Sequence, residues 1–274
     1  MLPPAWGSQV FRLRDVMTAG SWAIAVLTAA LLAIFARLGA AEANGPDRLL
    51  KAYPDHLDRI EGNTLIWRNG LRMPLDDGKG AKTFADWLAN PDIEDMLALP
   101  YPPAGSAGSP GLNADPGRTR NGAFFKAMYG DCTKGEVSAR LVDVVWLPRK
   151  AGQRLKMTAV NGVASRLEAV SRELDELPAR FDVYLAPSAG TYNCRPIAGT
   201  TQISAHGYGI AIDIALRHAH YWRWSSQAGT GQLTYRNAIP IEIAEIFERH
   251  GFIWGGAWYH YDTMHFEYRP ELLR

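Results

Sequence analysis

The side chains best suited to chemistry in this sequence are concentrated in residues 204–213 (SAHGYGIAID) and residues 255–267 (GGAWYHYDTMHFE). In the first segment, His206 and Asp213 are separated by a stretch that contains two glycines. A neutral imidazole and a carboxylate are ordinary zinc ligands. The sequence therefore indicates a metal site, provided that the chain brings these two side chains together.

A predicted strand over residues 209–216 must position Asp213. Side chains alternate along a strand, so its isoleucines and Leu216 are expected to face the core. Asp213 then lies on the other face between two alanines, and these small neighbours leave space for an ion and a substrate. The glycines before the strand allow the chain to turn back and bring His206 toward Asp213.

The second segment offers a third ligand and a base. His265 and Glu267 share one face of a predicted strand over residues 264–268, and Asp262 lies where that strand begins. With His265 added, three protein ligands leave one position for water, which is the catalytic rather than the structural zinc arrangement. Asp262 is close enough in sequence to reach that water as a general base.

Each of these residues also fits a purely structural role. His206 is compatible with a loop, Asp213 with an ion pair, and His265 with a hydrogen-bonded core position. A single His-x₆-Asp spacing occurs by chance in many chains. The conjunction with His265, Asp262 and the small-residue face favours metal-assisted hydrolysis.

The paired patterns S-x-H-x-x-G-x-A-x-D (204–213) and D-x-x-H-F-E (262–267) resemble the VanY-type zinc peptidases, over roughly residues 180–270. This family contains D-Ala-D-Ala carboxypeptidases and L-alanyl-D-glutamate endopeptidases, and it shares a fold with the hedgehog signalling domain. The resemblance implies one zinc ion per chain, bound by His206, Asp213 and His265. It also implies Asp262 as the catalytic base and a bacterial peptidoglycan peptide as the substrate.

The same resemblance implies an arginine upstream of the first ligand. Arg195 is the candidate, because a guanidinium can hold a substrate carboxylate by two hydrogen bonds; a surface ion pair is the alternative. Ser204 either forms a hydrogen bond within the site or caps the turn. Glu267 either orients a ligand histidine or is a surface carboxylate.

Other histidines and tryptophans are weaker candidates. The spacing of His218 and His220 suits a strand face, but they follow the end of the strand, and His260 lies where the family has no ligand. The tryptophans are expected in the core or along the rim of a substrate groove; they are Trp222, Trp224, Trp254 and Trp258.

The remaining patterns predict an α+β fold, with a small, mostly antiparallel sheet packed by helices. A catalytic domain is expected over residues 151–274. Strands are predicted at 141–147 and 181–186, and helices at 160–177 and 240–249, where Pro240 and Gly251 mark the two ends of the second helix.

An irregular N-terminal extension is expected over residues 44–150, packed on the catalytic domain. It contains a predicted hairpin over residues 64–73, with Asn69 and Gly70 forming a type I′ turn. Residues 100–118 are rich in proline and glycine and predict a long loop, which either covers a cleft or is a solvated connection.

The first 43 residues have the features of a targeting segment. Residues 16–36 are uncharged and largely apolar, two arginines precede them, and Ala41-Glu42-Ala43 follows. The pattern is typical of a signal peptide cleaved after Ala43, although its length also suits a retained membrane anchor. Both alternatives predict a periplasmic location, free or anchored to the inner membrane.

Export affects the interpretation of the two cysteines. In an oxidising compartment Cys132 and Cys194 can form a disulfide; two separate buried thiols are the alternative. Two cysteines are too few for a Cys₄ zinc site.

Composition narrows the function further. With 29 Lys+Arg against 28 Asp+Glu, the net charge of +1 argues against a nucleic-acid partner. Membrane contact is expected only through an uncleaved anchor.

The sequence thus predicts an exported zinc peptidase, of either carboxypeptidase or endopeptidase type. The alternatives are a non-catalytic zinc-containing binding module and an enzyme for another peptide; Asp262 argues against the former, since a structural zinc needs no base.

Overall fold

A computed structural model of the protein describes residues 45–106, 109–197, 200–229 and 232–273. The signal peptide or anchor predicted over residues 1–43 lies outside the described residues. Within the described ranges, no helix combines the length and the apolar character needed to cross a bilayer. From Gly45 onward the chain forms one compact unit.

Short helices and small antiparallel sheets build this unit, which confirms the predicted α+β class. The α-helices are α1 (Gly45–Ala52), α2 (Phe84–Ala89), α3 (Ile93–Leu97), α4 (Gly122–Tyr129), α5 (Val163–Asp175), α6 (Asp182–Leu185) and α7 (Ile241–Arg249). The strands are β1 (Leu57–Glu61), β2 (Thr64–Trp67), β3 (Arg72–Pro74), β4 (Leu141–Trp146), β5 (Gln153–Thr158), β6 (Ala211–Asp213), β7 (Phe252–Trp254) and β8 (His265–Tyr268). They form the sheets β1-β2-β3, β4-β5 and β6-β8-β7.

The sheet β6-β8-β7 positions the predicted metal ligands. Its central strand β8 pairs antiparallel with both neighbours. Asp213 lies directly opposite His265, and Ala211 lies directly opposite Glu267. Residues paired across antiparallel strands point to the same face, so this face carries both carboxylates and the imidazole. The small side chain of Ala211 leaves room for the glutamate.

Strand β6 is shorter than the predicted strand over residues 209–216. Gly209 has the left-handed backbone that ends the preceding turn, with φ +67°. Leu216, expected in the core, instead begins a 3₁₀ turn and is 49 % exposed, so its prediction was wrong. The isoleucines at 210, 212 and 214 are fully buried as predicted.

The two longest helices cover the sheets with apolar faces. In α5, the fully buried side chains recur every three or four residues, as an amphipathic helix requires; they are Val163, Leu167, Val170 and Leu174. Helix α5 packs on the β4–β5 hairpin and α7 packs on β7. The Phe247 ring of α7 stacks on Phe266 of β8 at 3.8 Å between centroids. Both predicted helices and the strand predicted at 141–147 are thereby confirmed, with slightly different ends.

The strand predicted at residues 181–186 is wrong. The chain there forms a 3₁₀ turn, Ala179–Phe181, followed by α6. Phe181 and Leu185 are both buried and lie four residues apart, which is the spacing of one helical face. A run this short carries too few apolar positions to separate a helical period from a strand period.

The predicted hairpin exists as β2 and β3, but its turn is not of type I′. Gly70 has a positive φ of +85°, whereas Asn69 does not. The Asn69 side-chain oxygen instead accepts a hydrogen bond from the main-chain nitrogen of Leu71 at 3.1 Å. This local Asx-type contact offers the asparagine an alternative to the left-handed conformation. Strand β1 on the other side of β2 was not predicted.

The described residues of the predicted N-terminal extension pack closely against the rest of the chain. The rings of Phe125 and Tyr129 on α4 lie 5.4 and 6.4 Å from the Tyr208 ring. The boundary predicted at residue 150 falls in the connection between β4 and β5, which pair along their whole length.

The loop over residues 100–118 has no helix or strand among its described residues. The expectation of a solvated connection is nevertheless wrong for parts of it. Tyr101 is buried and donates a hydrogen bond to Glu248 of α7 at 2.7 Å, and Asp115 has no exposed surface.

Candidate metal centre and active site

His206 is positioned by the 3₁₀ turn Ala205–Tyr208. Ser204 precedes this turn, and its hydroxyl accepts a hydrogen bond from the main-chain nitrogen of His206 at 3.4 Å. A Cβ added to Gly209 at the end of the turn would lie 2.8 Å from the Leu141 side chain. Since Gly209 also has a positive φ, only glycine suits this position. The turn that brings His206 back over β6 depends on it.

The three predicted ligands converge on one point. His206 Nε2 lies 3.2 Å from Asp213 Oδ1. His265 Nδ1 lies 3.0 Å from the same oxygen and 3.2 Å from His206 Nε2. Ligands about 2.0–2.1 Å from a tetrahedral zinc ion lie roughly 3.3–3.4 Å from one another. The three atoms therefore fit three corners of a zinc tetrahedron, and the fourth corner is available to water or substrate.

Hydrogen bonds on the far side of each ring fix both imidazoles. The Thr191 carbonyl accepts a hydrogen bond from His206 Nδ1, and Glu267 Oε2 accepts one from His265 Nε2 at 2.9 Å. Each ring thus carries a hydrogen on its outer nitrogen and directs its inner nitrogen toward Asp213. Because three electron-rich atoms face one another, a positive charge has to lie among them. The donor set therefore fits a divalent metal ion.

Without a metal ion, a proton supplies this positive charge. Burial opposes a charged His265, but its hydrogen bonds to Asp213 and Glu267 outweigh burial and raise the pKa of His265 to about 10. Burial likewise opposes ionisation of Asp213, yet the two histidines hold the pKa of this carboxyl far below its usual value. Metal binding must therefore displace a proton from the centre.

Asp262 lies in the connection between the 3₁₀ turn Gly255–Ala257 and β8. Its main-chain nitrogen donates to the Gly255 carbonyl at 3.0 Å, and its carbonyl accepts from the His265 nitrogen at 3.1 Å. Its side-chain Oδ1 is buried and has no hydrogen-bond partner among the described residues. Burial, together with the nearby charge of Asp213, raises the pKa of Asp262 to about 6. An ionisable oxygen with no partner, titrating near neutrality, suits a general base.

These residues line one cleft together with three arginines. Arg118 is paired with Asp115 at 2.6 Å, and Arg120 is paired with Glu267. Arg195 is exposed, and in the part of the chain that the structure describes it has no carboxylate partner. Its Nη1 donates a hydrogen bond to the Pro196 carbonyl at 3.5 Å, and among the described residues the guanidinium is not held in a surface ion pair.

Cys132 and Cys194 form a disulfide, so the two separate thiols considered as the alternative are not present. The bond joins the 3₁₀ turn Cys132–Lys134 to the residue directly before Arg195. It lies beside the ligand turn, because a Cβ on Gly207 would be 3.4 Å from the Cys132 sulfur. The disulfide thus anchors the segment that carries Arg195 next to His206.

The sequence did not predict that residues of the N-terminal extension line this cleft. Leu88, Arg118 and Arg120 line it. Asp115 is fully buried and accepts hydrogen bonds from both the main chain and Nδ1 of His260, at 2.9 and 2.6 Å. No local pattern identifies Asp115 and Arg120, because their partners His260 and Glu267 lie 145 and 147 positions away in the sequence.

None of the weaker histidine candidates belongs to the ligand cluster among the described residues. His218 packs against the Tyr184 ring, and the main-chain nitrogen of His220 donates to Thr263. His260 lines the cleft but is not part of the ligand cluster. Of the tryptophans, Trp222 and Trp258 line the cleft, Trp254 is buried, and Trp224 is 60 % exposed.

In a comparison with protein families, residues 198–268 match a family described as D-alanyl-D-alanine carboxypeptidase. The matched range contains all three candidate ligands and Asp262, and it begins after Arg195. No curated protein matches the chain. No solved structure matches it either. The match over residues 198–268 agrees with the family resemblance predicted from the sequence, and it supports a peptidase of the D-alanyl-D-alanine carboxypeptidase type.

Proposed function

We propose that the protein is an exported zinc metallopeptidase that hydrolyses peptide bonds in peptidoglycan stem peptides. One observation carries the proposal. His206, Asp213 and His265 present three ligand atoms 3.0–3.2 Å apart, in the same cleft as an acid whose buried oxygen has no partner among the described residues. A structural zinc site uses four protein ligands and needs no such acid.

In this proposal zinc is held by His206 Nε2, Asp213 Oδ1 and His265 Nδ1, and when bound it polarises the scissile carbonyl and acidifies a water molecule. Asp262 accepts the proton of the attacking water through its carboxylate. It then delivers a proton to the nitrogen of the leaving amine. The outer hydrogen bonds from Thr191 and Glu267 keep the two imidazoles in the orientation that binding requires.

Substrate recognition is assigned to Arg195 and the aromatic walls of the cleft. The guanidinium is exposed and the indole rings of Trp222 and Trp258 lie in the same cleft. A carboxylate of the stem peptide matches the two-donor fork of a guanidinium. If this carboxylate is the substrate's C-terminus, the enzyme is a carboxypeptidase; if it is an internal side chain, the enzyme is an endopeptidase.

Export and a periplasmic location, free or through a retained anchor, are part of the proposal. The signal-like features of residues 1–43 support them. The Cys132–Cys194 disulfide supports them as well, because such bonds persist in oxidising compartments.

The test is digestion of purified sacculi by zinc-loaded and chelator-treated protein, with product masses identifying the bond that is cut. We expect cleavage by the zinc-loaded form alone and none by Asp262→Ala that retains zinc. Paired peptides with a free or amidated C-terminus then separate the two peptidase types. If wild-type protein with one bound zinc cleaves no cell-wall fragment, a zinc-containing binding module is the better description.

A further inference from the structure

The carboxylate that orients His265 is enclosed by charged groups. Glu267 has no exposed surface. Its Oε2 accepts the hydrogen bond from His265 Nε2 and a second bond from Arg120 Nη2. Its Oε1 accepts bonds from Arg120 Nε and from Arg269 Nη1, both at 3.2 Å. One face of the metal centre is thus held by a carboxylate clamped between two guanidinium groups.

The two guanidinium groups have different surroundings. Arg269 is fully buried and is shared among several acceptors, since it also binds Glu271 and donates to the Gly117 carbonyl at 2.8 Å. Glu271 in turn accepts a hydrogen bond from Tyr53 at 2.7 Å. Arg120 has Glu267 as its carboxylate partner and binds both oxygens through a fork of two N–H groups.

The fork of Arg120 has a specific geometric effect. A guanidinium that binds both oxygens of a carboxylate holds the plane of that carboxylate, whereas a single bond allows it to rotate. The orientation of the Glu267 carboxylate determines where the hydrogen bond to His265 Nε2 points, and thereby the direction of His265 Nδ1 toward Asp213. Partners of this kind commonly contribute 10- to 100-fold to metal affinity, as an order of magnitude.

We propose that Arg120 is a positioning residue for the metal ligand His265, acting through Glu267. The inference rests on the proposed zinc function and deepens it. It assigns the N-terminal extension a role in the metal centre, because Arg120 belongs to that extension and lies 147 positions from Glu267. Arg120 also lines the cleft, so direct binding of the substrate is the competing explanation that the test must separate.

The primary measurement is zinc affinity, determined by competition with a chromophoric chelator. We expect Arg120→Gln to lower it about 10- to 100-fold. Lys82→Gln is the matched control. Lys82 is a cation in the same extension, and its side chain is only 7 % exposed. Unlike Arg120, it is paired with Asp92 and Asp95 and not with Glu267. We expect its zinc affinity to stay within about threefold of the wild type.

Two further variants show whether Arg120 acts through Glu267. In a Glu267→Gln background, Arg120→Gln should lower zinc affinity by less than about threefold, because the carboxylate that it orients is gone. Arg120→Lys keeps the positive charge without the fork, and should bind zinc less tightly than the wild type and more tightly than Arg120→Gln. The visible absorption of the Co²⁺-substituted protein should change in both Arg120 variants, since it reports the arrangement of the ligands.

The outcomes are distinguishable. Wild-type zinc affinity and an unchanged Co²⁺ spectrum in folded Arg120→Gln would overturn the inference. If that variant does not fold, the same result in Arg120→Lys overturns it. A raised KM with unchanged zinc affinity would assign Arg120 to substrate binding and also overturn it. Failure of the wild-type protein to bind zinc would instead overturn the proposed function, and the inference with it.

Discussion

Asp262 and His265 are three residues apart, yet their surroundings give them different tasks. His265 is held on both sides by carboxylates, which raise its pKa to about 10 against the effect of burial and make its inner nitrogen a site for a cation. Asp262 Oδ1 has no partner among the described residues, and burial raises the pKa of its carboxyl to about 6. Pairs of groups whose surroundings differ in this way identify the acid–base residue of a site.

The first prediction concerns Asp262 itself. Asp262→Asn should lower kcat about 10²- to 10⁴-fold, the usual contribution of a general base, because an amide cannot accept the proton. Zinc content should remain at one per chain, since Asp262 is not in the ligand cluster. Steady-state kinetics and elemental analysis of the same sample test this. A variant that retains wild-type turnover would assign the base elsewhere.

The second prediction concerns pH. Asp262 must be ionised to accept a proton, so kcat/KM should fall as the pH falls through its pKa. This pKa is about 6 without metal, and the positive charge of zinc lowers it further. We expect the acid limb between about pH 4, the ordinary range of an aspartate, and about pH 6.

Zinc must be kept in excess in that measurement, because protons compete with the metal at His265 and affinity decreases toward low pH. A profile that stays flat from about pH 4 to pH 7 with zinc bound would contradict the assignment of the base.

At the scale of elements, the disulfide is expected to contribute both to the stability of the fold and to the binding of substrate. It closes a loop between residues 62 positions apart, for which chain entropy predicts about 4 kcal/mol. The third prediction is that Cys132→Ala with Cys194→Ala lowers the free energy of unfolding by about this amount, measured in denaturant.

The same pair of substitutions should raise KM more than it lowers kcat, because Cys194 directly precedes Arg195 while the ligands lie on other elements. Chemical reduction of the wild-type protein is the matched comparison. An unchanged KM after reduction would show that the segment carrying Arg195 is held by its other contacts.

The length of each sequence pattern also explains which parts of the fold could be predicted. The helical period of α5 extends over enough residues to reveal its buried face, and the three alternate isoleucines at 210, 212 and 214 reveal the buried face around β6. The short run 181–186 was not predicted correctly, because it has too few apolar positions to distinguish a helix from a strand. The turn at Asn69 was not, because a local hydrogen bond from the Leu71 nitrogen to the Asn69 side chain determines it. The three metal ligands could be predicted because two short sequence motifs, residues 204–213 and 262–267, contain them.

The groups that surround those ligands could not be predicted in the same way. Tertiary packing places Arg120 in the cleft, where it binds Glu267, and places the buried Asp115 against His260. Their spacing from Glu267 and His260 in the sequence follows no period, so no window of the chain contains the signal.

At the scale of the whole molecule, the N-terminal extension completes both the core and the cleft. Its Phe125 and Tyr129 rings contact Tyr208, and the Trp258 indole donates to the Pro116 carbonyl. The fourth prediction is that residues 151–274 expressed alone do not fold cooperatively. They lack strand β4 and leave Glu267 without Arg120, one of its two guanidinium partners, and loss of a partner of a buried carboxylate is destabilising.

Thermal unfolding of this fragment, beside residues 45–274 as the control, tests the prediction. A cooperative transition in the fragment, with zinc bound, would show that the extension is an accessory rather than a part of the folding unit.

The direct pairing of Asp213 with His265 across β6 and β8 has a consequence for how the molecule matures. Sliding one strand past the other by a single residue would send one of the two side chains to the opposite face of the sheet. Only chains with native register can then capture the ion. The zinc-to-protein ratio of a fresh preparation would therefore equal the fraction of molecules whose central strands are paired in the native register. Chains paired in another register would bind no metal.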